Sequence, residues 1–153
     1  MLRLDIKGFK DVFFDSAKVL RAVDQATRRV LSRFGAFVRK TARDSIRPGK
    51  RPSRPGQPPK DRTGTLKRFI WFGYYAAAKT VVIGPAYLRR QSVGGDVASG
   101  TLEHGARVLR RVPRGKRSQK VVSANYQARP YMAPALAKEL PKLPAMWQDS
   151  VKP

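Results

Sequence analysis

Few side chains in this sequence are equipped for chemistry, and their spacing argues against catalysis. One histidine, His104, stands beside Glu103, and adjacent residues of a helix or strand do not point at one target. No second histidine completes a spaced zinc pair, and cysteine is absent, which removes disulfides, thiolate metal ligands and a thiol nucleophile together. The carboxylates Asp5, Asp11, Asp15, Asp24, Asp44, Asp61, Asp96, Glu103, Glu139 and Asp149 are scattered without the paired spacing of acid–base work. The glycines between Arg47 and Leu66 alternate with prolines, which lack the N–H groups that a phosphate-cradling loop must offer. The expectation is a protein that binds rather than catalyses, with no cofactor and no metal. The Glu103–His104 pair then serves a turn or an interface.

Binding chemistry is abundant by contrast. There are 33 lysines and arginines against 10 acidic residues, a formal charge of +23. Uncompensated like charge repels itself and calls for a polyanionic partner: nucleic acid first, an acidic protein surface second. The densest stretch, RPGKRPSRPGQPPKDRTGTL from Arg47 to Leu66, holds five prolines and three glycines. It can neither continue a helix nor fill a sheet interior, so residues 47–62 read as an extended arm, rising about 3.1 Å per residue in polyproline geometry. Its candidate contact residues are Arg47, Lys50, Arg51, Arg54, Pro55, Gly56, Pro58 and Pro59, with Thr63 and Gly64 turning the chain out of it.

A chain of 153 residues, 41% hydrophobic, supports one core and one domain. Leu2 to Lys7 alternate apolar and polar residues as a short strand does. Asp15 or Ser16 fits the N-cap of a long helix whose apolar face is Val19, Val23, Ala26, Val30, Phe34, Phe37 and Thr41, running to about Ser45 where Pro48 forbids more. Its opposite face carries Arg21, Arg28, Arg29, Arg33, Arg39, Lys40 and Arg43, either a solvated face or a contact for something acidic. Leu66 to Tyr75 and Thr80 to Ile83 read as a hairpin whose aromatics pack a helix onto a sheet, with a base-stacking platform as the rival reading. Ala86 to Gly100 reads as a loop and Thr101 to Gly105 as a turn or short helix. A further hairpin joins Arg107 to Val112 with Lys120 to Gln127 through a basic tip, where Arg114, Lys116 and Arg117 are candidates for DNA or an acidic partner. The last helix opens at Pro130 on the face Met132, Leu136 and Leu140, is broken by Pro141 and Pro144, and leaves a tail over 141–153. No apolar run approaches the ~20 residues that span a bilayer, and no signal-peptide core precedes the helix, so synthesis in the cytosol and no membrane contact are expected.

Three motifs stand in fixed order along these elements: Pro55-Gly56-Gln57-Pro58-Pro59 followed by Thr63-Gly64-Thr65-Leu66; Leu102-Glu103-His104-Gly105; and Ala128-Arg129-Pro130-Tyr131-Met132 followed by Pro134-Ala135-Leu136. With Val81 to Pro85 between the first and second, the pattern resembles the small tail-component family of long-tailed bacteriophages and prophages, the tail-completion or neck proteins akin to minor tail protein Z. The resemblance covers nearly the whole chain. It implies an α+β fold, here a long N-terminal helix and a C-terminal helix packed on a mostly antiparallel sheet of about four to five strands, with the arm extended from it. It also implies a non-enzymatic virion protein that completes the tail or joins it to the head as a ring, usually sixfold. The implied partners are copies of itself, neighbouring neck proteins, and tail-terminator or head-connector proteins. The implied location is the virion, reached from the host cytoplasm. The arm residues, Glu103, His104, Arg129, Pro130, Tyr131 and Met132 are then expected at assembly interfaces, and this chain's extra basic charge raises contact with packaged DNA. The alternative is a free nucleic-acid-binding protein using the same arginines and lysines on phosphates.

Overall fold

Thirty residues without an interior proline, Ser16–Ser45, form helix α1 in the computed structural model, which describes residues 16–86, 97–113, 119–148 and 150–151. The helix buries Ala26, Val30, Phe34, Val38 and Ala42, each one turn beyond the last, and Ile46 continues the row. The apolar face expected from sequence is therefore displaced: Val19, Val23 and Phe37 are exposed, while Val38 and Ala42 lie in the core. A strict step of four drifts around a 3.6-residue helix, and the buried row follows that drift as the elements beneath it change.

Those elements are a hairpin and the C-terminal helices. Strand β3 (Ile70–Tyr75) pairs antiparallel with β4 (Thr80–Pro85), from Ile70 opposite Pro85 to Tyr75 opposite Thr80. Phe72, Tyr74, Val81 and Ile83 alternate onto the more covered face, and Trp71, Tyr75 and Val82 onto the open one. The expected packing role thus holds for one face of the aromatic strand only. Gly35 makes the helix–hairpin approach possible, since a Cβ there would stand 2.8 Å from Val81 Cγ2 and 3.0 Å from Phe72 Cδ2. Arg39 fastens the other end: its Nε donates to Ile70 O at 2.7 Å and its guanidinium lies 5.2 Å from the Trp71 ring centre.

Helix α4, Met132–Glu139, runs through a 3-10 turn at Leu140–Lys142 into α5, Leu143–Trp147. The expected breaks are found, since α4 ends at Glu139, but the chain stays helical past them because Pro141 and Pro144 each occupy the first or second position of a new helical turn, where no N–H is needed. The core is the cluster of Phe34, Val38, Ala42, Ile46, Ile70, Tyr131 and Ala135, joining α1, β3 and α4. Burying each of its large side chains contributes about 1.5–3 kcal/mol. Beside it Thr41 Oγ1 donates to Glu139 Oε1, and Lys142 Nζ donates to Glu139 Oε2, both at 2.7 Å. These two donors hold the Glu139 carboxyl below its ordinary range.

The remaining elements are β1 (Arg47–Pro48), β2 (Lys60–Asp61), α2 (Thr65–Arg68), α3 (Val97–His104), β5 (Ala106–Pro113) and β6 (Gln119–Tyr126). The fold is α+β as expected, but the described strands form three two-stranded ladders, β1–β2, β3–β4 and β5–β6, rather than one sheet of four to five. Residues 66–68, expected in a strand, belong to α2, because Asp61 caps that turn: Oδ1 accepts from Thr63 N and Gly64 N, and Oδ2 from Lys67 N. The strand read at Leu2 to Lys7 and the tip residues Arg114, Lys116 and Arg117 lie outside the described residues.

Candidate assembly site

The proline-rich arm does not extend. Arg47 pairs with Lys60 and Pro48 with Asp61 in parallel register, so the two ends of the stretch lie side by side and the residues between them close into a loop. Gly56 N donates to Ala128 O at 2.8 Å, and Arg129 Nε donates to Ser53 O at 3.0 Å, which ties the loop's far end to the approach of α4. Polyproline backbone leaves its carbonyls unpaired, and here an arginine and a glycine amide on the two sides of the contact satisfy the facing carbonyls. Ser53 and Pro59 are buried, whereas Arg47, Lys50, Arg51, Arg54, Pro55 and Gly56 remain on the outside.

The second motif meets the same segment. Glu103, near the end of α3, accepts three backbone hydrogen bonds: Tyr131 N at 3.0 Å and Met132 N at 3.1 Å on Oε2, and Ala133 N at 2.8 Å on Oε1. These are the N-cap and first two amides of α4, donors that a helix cannot satisfy within itself. No side chain of the α4 start caps it; a carboxylate from α3 does so, and its charge also complements the helix dipole. Arg129 N completes the joint by donating to Leu102 O at 2.6 Å.

Gly105 ends α3 at φ +72°, and a Cβ there would meet Tyr126 O at 2.9 Å and Ala128 N at 3.0 Å. Only glycine accommodates both the left-handed backbone and the passing chain. The three sequence motifs are thus one joint: the Pro-Gly loop on one side, Leu102–Gly105 on the other, and Ala128–Met132 between them.

This arrangement separates the expected site residues. Glu103, half-buried, and Tyr131, buried, are committed to contacts within the protein. Tyr131 is 1% exposed, and burial, reinforced by the nearby Glu103 charge, pushes its hydroxyl up to about 12. Arg129 and Pro130 are half-buried in the joint, Met132 packs against the core, and Thr63 and Gly64 turn on Asp61. Among the residues expected at interfaces, those left facing outward are the loop's basic residues, Pro55, Gly56, Thr63, Gly64 and His104.

A second outward feature was not singled out from sequence. The β5–β6 hairpin pairs Ala106 with Tyr126 through Pro113 with Gln119, and it exposes Leu109 by 72% and Val121 by 56%. These two residues share one face, diagonal across the ladder and bordered by Arg107 and Arg111. The signal was present in the sequence as an apolar residue between two arginines on a strand, where a solvent face would be wholly polar.

Comparison of the chain with protein-family models, with curated proteins and with solved structures gave no match in any of the three. Among the described residues no helix is long and apolar enough to cross a membrane.

Proposed function

We propose that this chain is a structural virion protein of a tailed phage, acting in tail completion or head–tail joining by forming a ring and docking to partner rings. The observation that carries the reading is the single joint made by the three motifs of the resemblance. Gly56 and Glu103, far apart in sequence, both bond the segment 128–133, and Arg129 of that segment bonds back to Ser53 and Leu102, which accounts for the three motifs occurring together. The joint holds a basic loop and a hairpin bearing exposed Leu109 and Val121 outward from a body built on α1, and apolar residues of that exposure on a charged surface suit a protein partner.

In this reading the protein has no catalytic role. Copies associate in a ring, expected to be a hexamer, whose outward loops and hairpins contact neighbouring neck, tail-terminator or head-connector proteins. The protein reaches the virion from the host cytoplasm. Deleting the gene is expected to leave filled heads and separate tails that do not join, with joining restored by the gene supplied in trans. Normal joined virions from the deletion would overturn the proposal.

A further inference from the structure

Most of the described acidic residues are engaged away from the basic face of the longest helix, and Asp44, near the C-terminal end of α1, is the one described carboxylate beside that face. Of the described carboxylates, Asp61 and Glu103 are occupied by backbone amides, Glu139 by Thr41 and Lys142, and Asp24 by Lys79 at 2.6 Å. Along α1, Arg21, Arg28, Arg29, Arg33 and Lys40 are exposed, and Arg39 and Arg43 are half-buried behind them. None of these seven forms an ion pair among the described residues.

Their placement is regular. At about 100° per residue they occupy an arc of roughly 140°, opposite the buried row, and from Arg21 to Arg43 they extend about 33 Å along the axis. Asp24, whose charge is neutralised by Lys79, falls outside that arc. At the C-terminal end Lys67 of α2 joins Arg39, Lys40 and Arg43 around one concavity, with Asp44 at its rim. The guanidinium of Arg39 is positioned there by its bond to Ile70 O and its stacking on Trp71.

We infer that the cationic face of α1, continued by Lys67, binds the phosphate backbone of double-stranded DNA without reading its sequence. A straight helix offers a rigid row of charge about 33 Å long, close to the 34–36 Å of one duplex turn. A duplex is the polyanion stiff enough to meet such a row along its length, with a persistence length of about 150 base pairs. A flexible acidic peptide or single strand would have to be ordered against it, at a cost in entropy. The inference stands on α1 and does not rest on the virion reading.

The test is fluorescence anisotropy of the full-length protein with a 30-base-pair duplex of arbitrary sequence, titrated across salt concentrations. Replacing Arg28, Arg29, Arg33 and Lys40 by glutamine should weaken binding about 100-fold near 0.1 M salt and reduce the salt slope by about 3.6, since each lost phosphate contact removes roughly 0.9. Replacing Arg47, Lys50, Arg51 and Arg54 removes the same charge and should change affinity less than about threefold. Equal losses in the two variants would show only a net-charge effect and overturn the assignment. So would tighter binding of a 30-nucleotide oligo-dT, or displacement of the duplex by polyglutamate at equal charge concentration. If the fourfold α1 variant melts before it can be assayed, the pair Arg29→Gln and Lys40→Gln keeps the test, with about half the loss of slope expected and an unchanged slope contradicting it.

Discussion

The α4 joint and the β5–β6 hairpin adjoin each other in sequence and differ in how their polar groups are satisfied. In the joint, one carboxylate satisfies three amides and a glycine is held against two backbone atoms. In the hairpin, the ladder satisfies the strands internally while Leu109 and Val121 stand in solvent. The joint resists change because its backbone amides and carbonyls are held by specific partners, whereas the open face of the hairpin can be altered at little cost to folding. The difference teaches where stability and recognition reside: substitutions in the joint should destabilise the protein, and substitutions on the hairpin should leave it folded and unable to dock.

Glu103→Ala should have the largest effect. It leaves three helix-start amides without their acceptor, at about 3 kcal/mol, lowering the melting temperature by about 8 °C in a thermal denaturation scan. A change under about 2 °C would remove the joint from the account. Gly105→Ala comes next: it forces a Cβ against Tyr126 O and Ala128 N at a left-handed φ, costing about 2 kcal/mol by denaturant titration.

Tyr131 gives the joint an alkaline signature. Its folded value of about 12 stands above the ordinary 10 of a tyrosine, so its contribution is complete below pH 10 and is lost as the pH rises toward 12. The limit is on the order of 3 kcal/mol. Stability measured between pH 9 and 11 should fall less steeply in Tyr131→Phe than in the native chain. At the acid end, Glu139 has a depressed value, so its contribution is present above the ordinary carboxylate range and lost as the pH falls through the folded value. Thr41→Val, which removes one of its donors, should weaken that acid dependence.

Much of the fold was legible in the sequence because it depends on local pattern. The end of α1 at Ser45, both hairpins and the turn at Thr63-Gly64 follow from proline, alternation and turn chemistry. The candidate site was legible as three motifs but not as one joint, since the bonds from Glu103 to Tyr131 and from Gly56 to Ala128 cross 28 and 72 residues. Composition made residues 47–62 an arm; the parallel pairing of Arg47 with Lys60, a non-local contact, made them a loop. Asp61 was closer to view, as an acidic residue followed by Thr-Gly and a helical turn is a local capping pattern.

The smallest expected change in stability belongs to the hairpin, and it tests the central claim most directly. The double substitution Leu109→Gln with Val121→Gln should shift stability by no more than about 1 kcal/mol, as exposed positions do. Supplied in trans to a deletion strain, that folded variant should fail to enter joined particles. Its incorporation at the native level, with the melting temperature unchanged, would contradict the assignment of recognition to the hairpin.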